Sequence, residues 1–165
     1  MSHVEASQLN APMTYSQDYA DRERTTIQEA VDILESRIRK TDVYSSPADV
    51  KAFCRLQIAA ELDEYFCVMF LDTQHRLIAF ERLFRGTIDA ASVYPRVVVR
   101  RALELNAGAV ILTHNHPSGI THPSSADRRI TTRLKEALAL MDVRILDHVI
   151  VGTEGEHSMA EHGML

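Results

Sequence analysis

Residues 113–127 read Thr113-His114-Asn115-His116-Pro117-Ser118-Gly119-Ile120-Thr121-His122-Pro123-Ser124-Ser125-Ala126-Asp127, and the rest of the chain is organised around them. Ahead stands the apolar run Ala109-Val110-Ile111-Leu112. Bounded by a Pro/Gly/Ser turn, such a run reads as a central strand ending at Thr113. Behind the turn, Ile130, Leu134, Ala137, Leu138 and Met141 form one stripe, which predicts an amphipathic helix. A strand that hands histidines to a turn and then a helix suits a strand-end site in an α/β sheet. His114 and His116, at i and i+2, leave an extended chain on the same side. Neutral imidazoles suit zinc at about 2.0–2.1 Å, and the Asp127 carboxylate can make a third bond of about that length. Three protein ligands for one Zn²⁺ leave a fourth position for water, the pattern of a catalytic rather than a structural site.

Downstream, residues 143–151 read as another strand, and the polar tail from Thr153 to Leu165 is expected to wrap the site or a sheet edge. Upstream, Phe66-Cys67-Val68-Met69-Phe70-Leu71 is a buried strand, and Asp72-Thr73-Gln74-His75 turns it into a second strand over 76–84, a hairpin. Residues 88–93 are a loop or short strand. Pro95 opens a helix ending near Asn106, with Gly108 as its stop; the Val97-Val98-Val99 run argues against it. Ser46 and Pro47 open a helix to about Leu62, with Val50, Phe53, Cys54, Ile58 and Leu62 as apolar positions. Residues 1–22 lack a period and read as a mobile leader. Residues 23–44 carry an N-terminal helix, with Ile27, Val31, Leu34 and Ile38 on one face and a capping box at Thr26 and Glu29. The sum is an α/β three-layer sandwich, a mixed central sheet flanked by helices.

The chain has 165 residues, enough for one ordinary domain, and its 45% hydrophobic and 25% charged composition is globular. No apolar run approaches a bilayer-spanning length, and the first residues lack the basic and apolar regions of a secretory signal, so no membrane partner is expected. Cys54 and Cys67 form no CxxC pair and read as two small buried residues in a reduced, cytoplasmic protein. Eighteen basic against 23 acidic residues, a net charge of −5, argue against a broad nucleic-acid-binding face.

His-x-His, seven residues, Ser, two residues, Asp is met by His114, His116, Ser124 and Asp127, and it resembles the metal signature of the JAMM/MPN metalloproteases. The string His114 to Gly119, with Gly86-Thr87 upstream and Asp147-His148-Val149-Ile150-Val151-Gly152 downstream, is similar to the RadC branch over residues 45–165. The resemblance implies the same sandwich, with a cytidine-deaminase-like layout, and amide or isopeptide hydrolysis of a peptide substrate. It also implies a glutamate general base ahead of the first buried strand: Glu64, or as runner-up Glu61. Ser124 would steady the oxyanion. Asn115 departs from the Ser or Thr of eukaryotic members but matches RadC. An MPN-type edge often pairs, so a homodimer is a further expectation.

Other roles compete for these residues. Ser-x-x-Asp before an apolar-periodic segment is a capping box in form, and a full cap at Asp127 is expected to exclude metal binding there. Asp147 or His148 could orient a ligand histidine. His122, His75 and His157 are expected at the surface. A zinc deaminase needs His-x-Glu with Pro-Cys-x-x-Cys, and a zincin needs His-Glu-x-x-His; the sequence has neither. The alternative function is a non-enzymatic accessory or DNA-repair module that retains the metal.

Overall fold

The computed structural model describes residues 15–43, 46–86 and 93–165, with side chains from residue 19 onward. In chain order the elements are α1 (Tyr15–Ile38), α2 (Pro47–Ile58), β1 (Tyr65–Leu71), β2 (Leu77–Arg85), α3 (Pro95–Glu104), β3 (Ala109–Asn115), α4 (Ser125–Ala139), β4 (Arg144–Gly152) and β5 (Gly155–Ser158). The five strands form one mixed sheet in the order β2-β1-β3-β4-β5. Only β3 and β4 run parallel, joined through α4; the other neighbours are antiparallel.

Strand alternation divides the core in two. Cys67, Met69, Leu71, Ala109 and Ile111 face α1 and α2, where Val31, Ile38, Val50, Phe53, Cys54 and Ile58 meet them. Phe66, Val68, Phe70, Val110 and Leu112 face α3 and α4 across Val98, Ala102, Leu134 and Leu138. β1 and β3 are therefore apolar on both faces, as strands covered by helices on each side must be. Burying each Val, Leu, Ile, Phe or Met side chain among these contributes about 1.5–3 kcal/mol. The α/β three-layer sandwich read from the sequence is the observed architecture.

Several local expectations need correction. α1 begins at Tyr15, so residues 15–22 are helical rather than leader; residues 1–14 lie outside the described residues, as do 44–45 and the 88–92 part of the expected loop. Thr26 caps nothing. It sits inside α1, where its hydroxyl donates to the Arg22 carbonyl at 2.9 Å, a common outlet for threonine in a helix. Ile27 is exposed, because α1 joins the core only from Val31 onward. α2 stops at Ile58, leaving Leu62 92% exposed on the turn into β1. Met141 lies past the end of α4 and is also exposed. The stop after α3 is Asn106 at φ 51° rather than Gly108, with Ala107 N–H returning to the Ala102 carbonyl at 2.9 Å. α3 itself forms despite three consecutive valines, since burying Val98 and Ala102 outweighs a weak intrinsic preference.

Two irregularities set up the functional end of the sheet. Val110 pairs with Ile145 but Ile111 pairs with Asp147, so β4 carries an extra residue at Leu146. This bulge turns His148 onto the α4 face, opposite Leu112, and leaves Asp147 on the other face. Asp147 there accepts from Ser158 Oγ at 2.6 Å and from Ala160 N–H at 3.0 Å, which ties down β5 at the sheet edge. Beyond β3, the turn at residues 116–121 lies against the end of β4. A Cβ on Gly152 would stand 2.2 Å from the Gly119 carbonyl oxygen, and Gly119 itself has φ +87°. Glycine at both positions permits this approach.

Candidate metal centre

His114 is the penultimate residue of β3 and is 1% exposed, its ring stacked on that of Phe66 from the neighbouring strand. His116 lies just past the strand. Its N–H donates to the Val151 carbonyl at 2.8 Å, continuing the β3–β4 pairing, and its ring is half-buried. Asp127 is the third residue of α4 and is buried. These three elements bring His114 Nε2 to 2.9 Å from His116 Nε2 and 3.2 Å from Asp127 Oδ1, with His116 Nε2 at 3.4 Å from Asp127 Oδ2.

These residues fit a metal. Among the described residues they are the group of three whose ligand atoms converge closely enough to hold one ion. Zinc–ligand bonds of about 2.0–2.1 Å in a tetrahedron place neighbouring donors roughly 3.3–3.4 Å apart, close to the separations seen here. The second nitrogen of each ring is engaged elsewhere. His116 Nδ1 donates to the Ile120 carbonyl at 2.6 Å, and His114 Nδ1 meets His148 Nε2 at 2.8 Å. Both Nε2 atoms are thereby turned inward.

The capping box forms and does not exclude this role, contrary to expectation. Ser124 Oγ accepts from Asp127 N–H at 3.1 Å, and Asp127 Oδ2 accepts from Ser124 N–H at 2.7 Å. The carboxylate still presents Oδ1 to His114 and Oδ2 to His116. A carboxylate has about four lone-pair directions, so one cap contact leaves the inward ones available. The cap in fact holds the carboxylate in its orientation.

The electrostatics follow. Burial raises the Asp127 pKa, but the influence of the adjacent His114 and His116 rings prevails and holds the carboxyl far below the usual range. The hydrogen bond to Asp127 raises the His116 pKa against burial, with smaller contributions from the Ile120 carbonyl and the charge of Glu64. His148, fully buried, has its pKa pushed well down by desolvation.

Glu64 precedes β1 by one residue and is half-buried. Phe66 pairs with His114 in the antiparallel register, so the same register carried two residues further sets Glu64 beside His116. Glu61, the runner-up, is instead committed to Arg82 at 2.6 Å. Sequence reasoning missed what secures this segment. The Asn115 side chain, 1% exposed, accepts from Tyr65 N–H at 2.7 Å and donates to the Asp63 carbonyl at 2.9 Å and the Glu61 carbonyl at 3.3 Å. It fastens the strand that carries Glu64 to the strand that carries the histidines.

Thr131 was also missed. Its Oγ1 donates to the Asp127 carbonyl at 2.6 Å and lies 2.7 Å from His148 Nδ1. Its signal was a threonine one helical turn after Asp127, inside an apolar stripe. Of the Asp147-His148 pair, His148 is the one that contacts His114.

His122 is exposed as expected, but His75 and His157 are not free surface residues. The His75 side chain is 14% exposed and lies 3.5 Å from the Asp42 carboxylate. His157 is half-buried and stacks on His162, with ring centroids 4.0 Å apart. Cys54 and Cys67 are free and buried. No helix among the described residues is long and apolar enough to cross a membrane.

Comparison with known proteins agrees with this geometry. Residues 44–164 match the family model described as the RadC-like JAB domain. A UPF0758 protein of Methylibium petroleiphilum is 58% identical over 132 residues, which cover 80% of this chain and 60% of that protein. A UPF0758 protein of Vibrio cholerae is 52% identical over 143 residues, 87% of this chain and 90% of the relative. A second from Vibrio cholerae is 48% identical over 151 residues, 92% and 96% of the two chains. The chain thus spans about 60% of the Methylibium relative but nearly all of the two from Vibrio. From the matched family model, the extent of these likenesses and a His114–His116–Asp127 cluster able to hold a metal ion, the chain belongs to the RadC family, with a JAB-type domain that fits the metallohydrolase type.

Proposed function

We propose that the protein is a zinc-dependent hydrolase of amide or isopeptide bonds. The observation that carries this reading is the convergence of His114 Nε2, His116 Nε2 and the Asp127 carboxylate, with Glu64 beside His116. The two imidazoles and the carboxylate would hold the ion, and their N/N/O donor set suits zinc. When bound, zinc supplies Lewis acidity toward a carbonyl oxygen and acidifies water.

The remaining work falls to the chain's own groups. Glu64, at the edge of the site, accepts a proton from the attacking water and returns it to the departing amine nitrogen. Asn115 holds its segment at a fixed distance from the histidines. Ser124 accepts the Asp127 N–H at its oxygen, so its own hydroxyl proton would be available to the oxyanion that develops on the substrate carbonyl.

The test uses the full chain loaded with one equivalent of zinc and a peptide library that includes lysine-linked isopeptides, with cleavage read by mass spectrometry. The wild type should cleave a subset of the library. Glu64→Gln should lose cleavage at least 100-fold, in line with the typical contribution of general base catalysis, while its zinc content is unchanged. His116→Ala should lose both. A zinc-replete wild type that cleaves nothing, or a Glu64→Gln protein of undiminished activity, would overturn the reading.

A further inference from the structure

A hydroxyl carries one proton, and that of Thr131 has a forced direction. Thr131 Oγ1 lies 2.6 Å from the Asp127 carbonyl oxygen, which can only accept. Two oxygens so close repel unless a proton lies between them, so Thr131 donates there. Its lone pairs are then what His148 Nδ1 meets at 2.7 Å, and this contact needs the proton on Nδ1. A neutral imidazole protonated at Nδ1 accepts at Nε2. His148 Nε2 lies 2.8 Å from His114 Nδ1, which therefore donates. His114 is left with the Nε2 lone pair directed toward His116 and Asp127.

We propose that Thr131 is a positioning residue that fixes the tautomer of His148 and, through it, that of His114, so that His114 Nε2 is kept as the metal-facing donor. The inference rests on the metal-site reading above and extends it to residues that never touch the ion. The chain of bonds runs from the backbone of one proposed ligand, Asp127, to the ring of another, His114, and every member is buried. Run in reverse, it would be self-defeating. A proton on His148 Nε2 would be donated to His114 Nδ1, and a neutral His114 would then carry its own proton on Nε2, where the cation binds. Thr131 blocks that arrangement because it offers His148 an acceptor.

The experiment uses protein with ¹⁵N-labelled histidine, metal-free and zinc-loaded, for wild type, Thr131→Val and Thr131→Ser. Ring ¹⁵N shifts and long-range couplings report which nitrogen of His148 carries the proton, without reference to catalysis. Wild type and Thr131→Ser should show His148 protonated at Nδ1 in both forms. Thr131→Val keeps the shape and removes the acceptor; it should move the metal-free His148 proton to Nε2. Its zinc affinity should fall roughly 10- to 100-fold, the usual loss when an outer partner of a metal ligand is removed, and Thr131→Ser should restore it. A His148 protonated at Nε2 in the wild type would overturn the proposal, as would equal zinc affinity for wild type and Thr131→Val. A wild type with the proton on Nδ1 that shifts in Thr131→Val supports the proposal even if no peptide in the library is cleaved, so this test and that of the hydrolase reading fail separately.

Discussion

The two faces of the sheet bury titratable groups equally well and treat them differently. Toward α1 and α2, Cys54 and Cys67 are fully buried, and burial pushes each thiol up to about 12. The Cys54 sulfur makes its contact with another sulfur, that of Met69, at 3.7 Å. Toward α3 and α4, His148 is just as deeply buried, but it is hydrogen-bonded at both nitrogens and leads to a carboxylate and a half-buried histidine. Burial alone silences a group by denying it charge. Directional partners make a buried group part of a site, since they fix where its proton sits and where its lone pair points.

The largest expected effect sharpens the silent face. Each thiol has a folded pKa near 12, above its ordinary value of 9.0. A raised pKa means the folded state holds protons that the unfolded chain releases. Its stabilising contribution is complete below pH 9 and is lost as pH rises toward 12. In reductant, unfolding free energy should therefore fall by up to about 1.4 kcal/mol per pH unit for each thiol above pH 9. Urea titrations of wild type and a Cys54→Ala, Cys67→Ala double variant will check this, the variant having the shallower pH slope.

Next in size, the two histidines separate structure from binding on the other face. His114→Ala and His116→Ala should each lower zinc affinity by more than the roughly 100-fold expected for loss of an outer partner. Only His114→Ala should also destabilise the metal-free protein, by about 1–3 kcal/mol, because it orphans the buried His148 nitrogen. Equal unfolding midpoints for the two metal-free variants would break the distinction between them. The smallest effect belongs to the cap: Ser124→Ala should cost about 1 kcal/mol by urea unfolding, as loss of an N-cap side chain usually does.

Much of this was legible because it is local. The alternation of β1 and β3, the start of α4 at Ser124 and Asp127, and the i, i+2 histidines all depend on residues a few positions apart, where strand and helix periods govern. Ambiguity appeared where two roles share one residue. Asp127 looked like either cap or ligand because spacing does not count lone pairs; its one carboxylate accepts the Ser124 cap and also faces both histidines. Between Glu61 and Glu64, pattern favoured Glu64 because it stands immediately ahead of the buried strand. In the structure Glu61 pairs with Arg82 on the next strand.

By itself, then, the sequence determined the layers, the central strand and the candidate cluster of His114, His116 and Asp127, since each is written in local hydrophobic period and local chemistry. Tertiary structure alone decided which of Asp147 and His148 faces His114, because one extra residue at Leu146 inverts the faces of β4. It also decided that Asn115 fastens the Glu64 segment across 50 residues of chain and that Thr131 sets the direction of a buried hydrogen-bond chain. Those contacts depend on register and on the approach of separate elements, which no window of neighbouring residues contains.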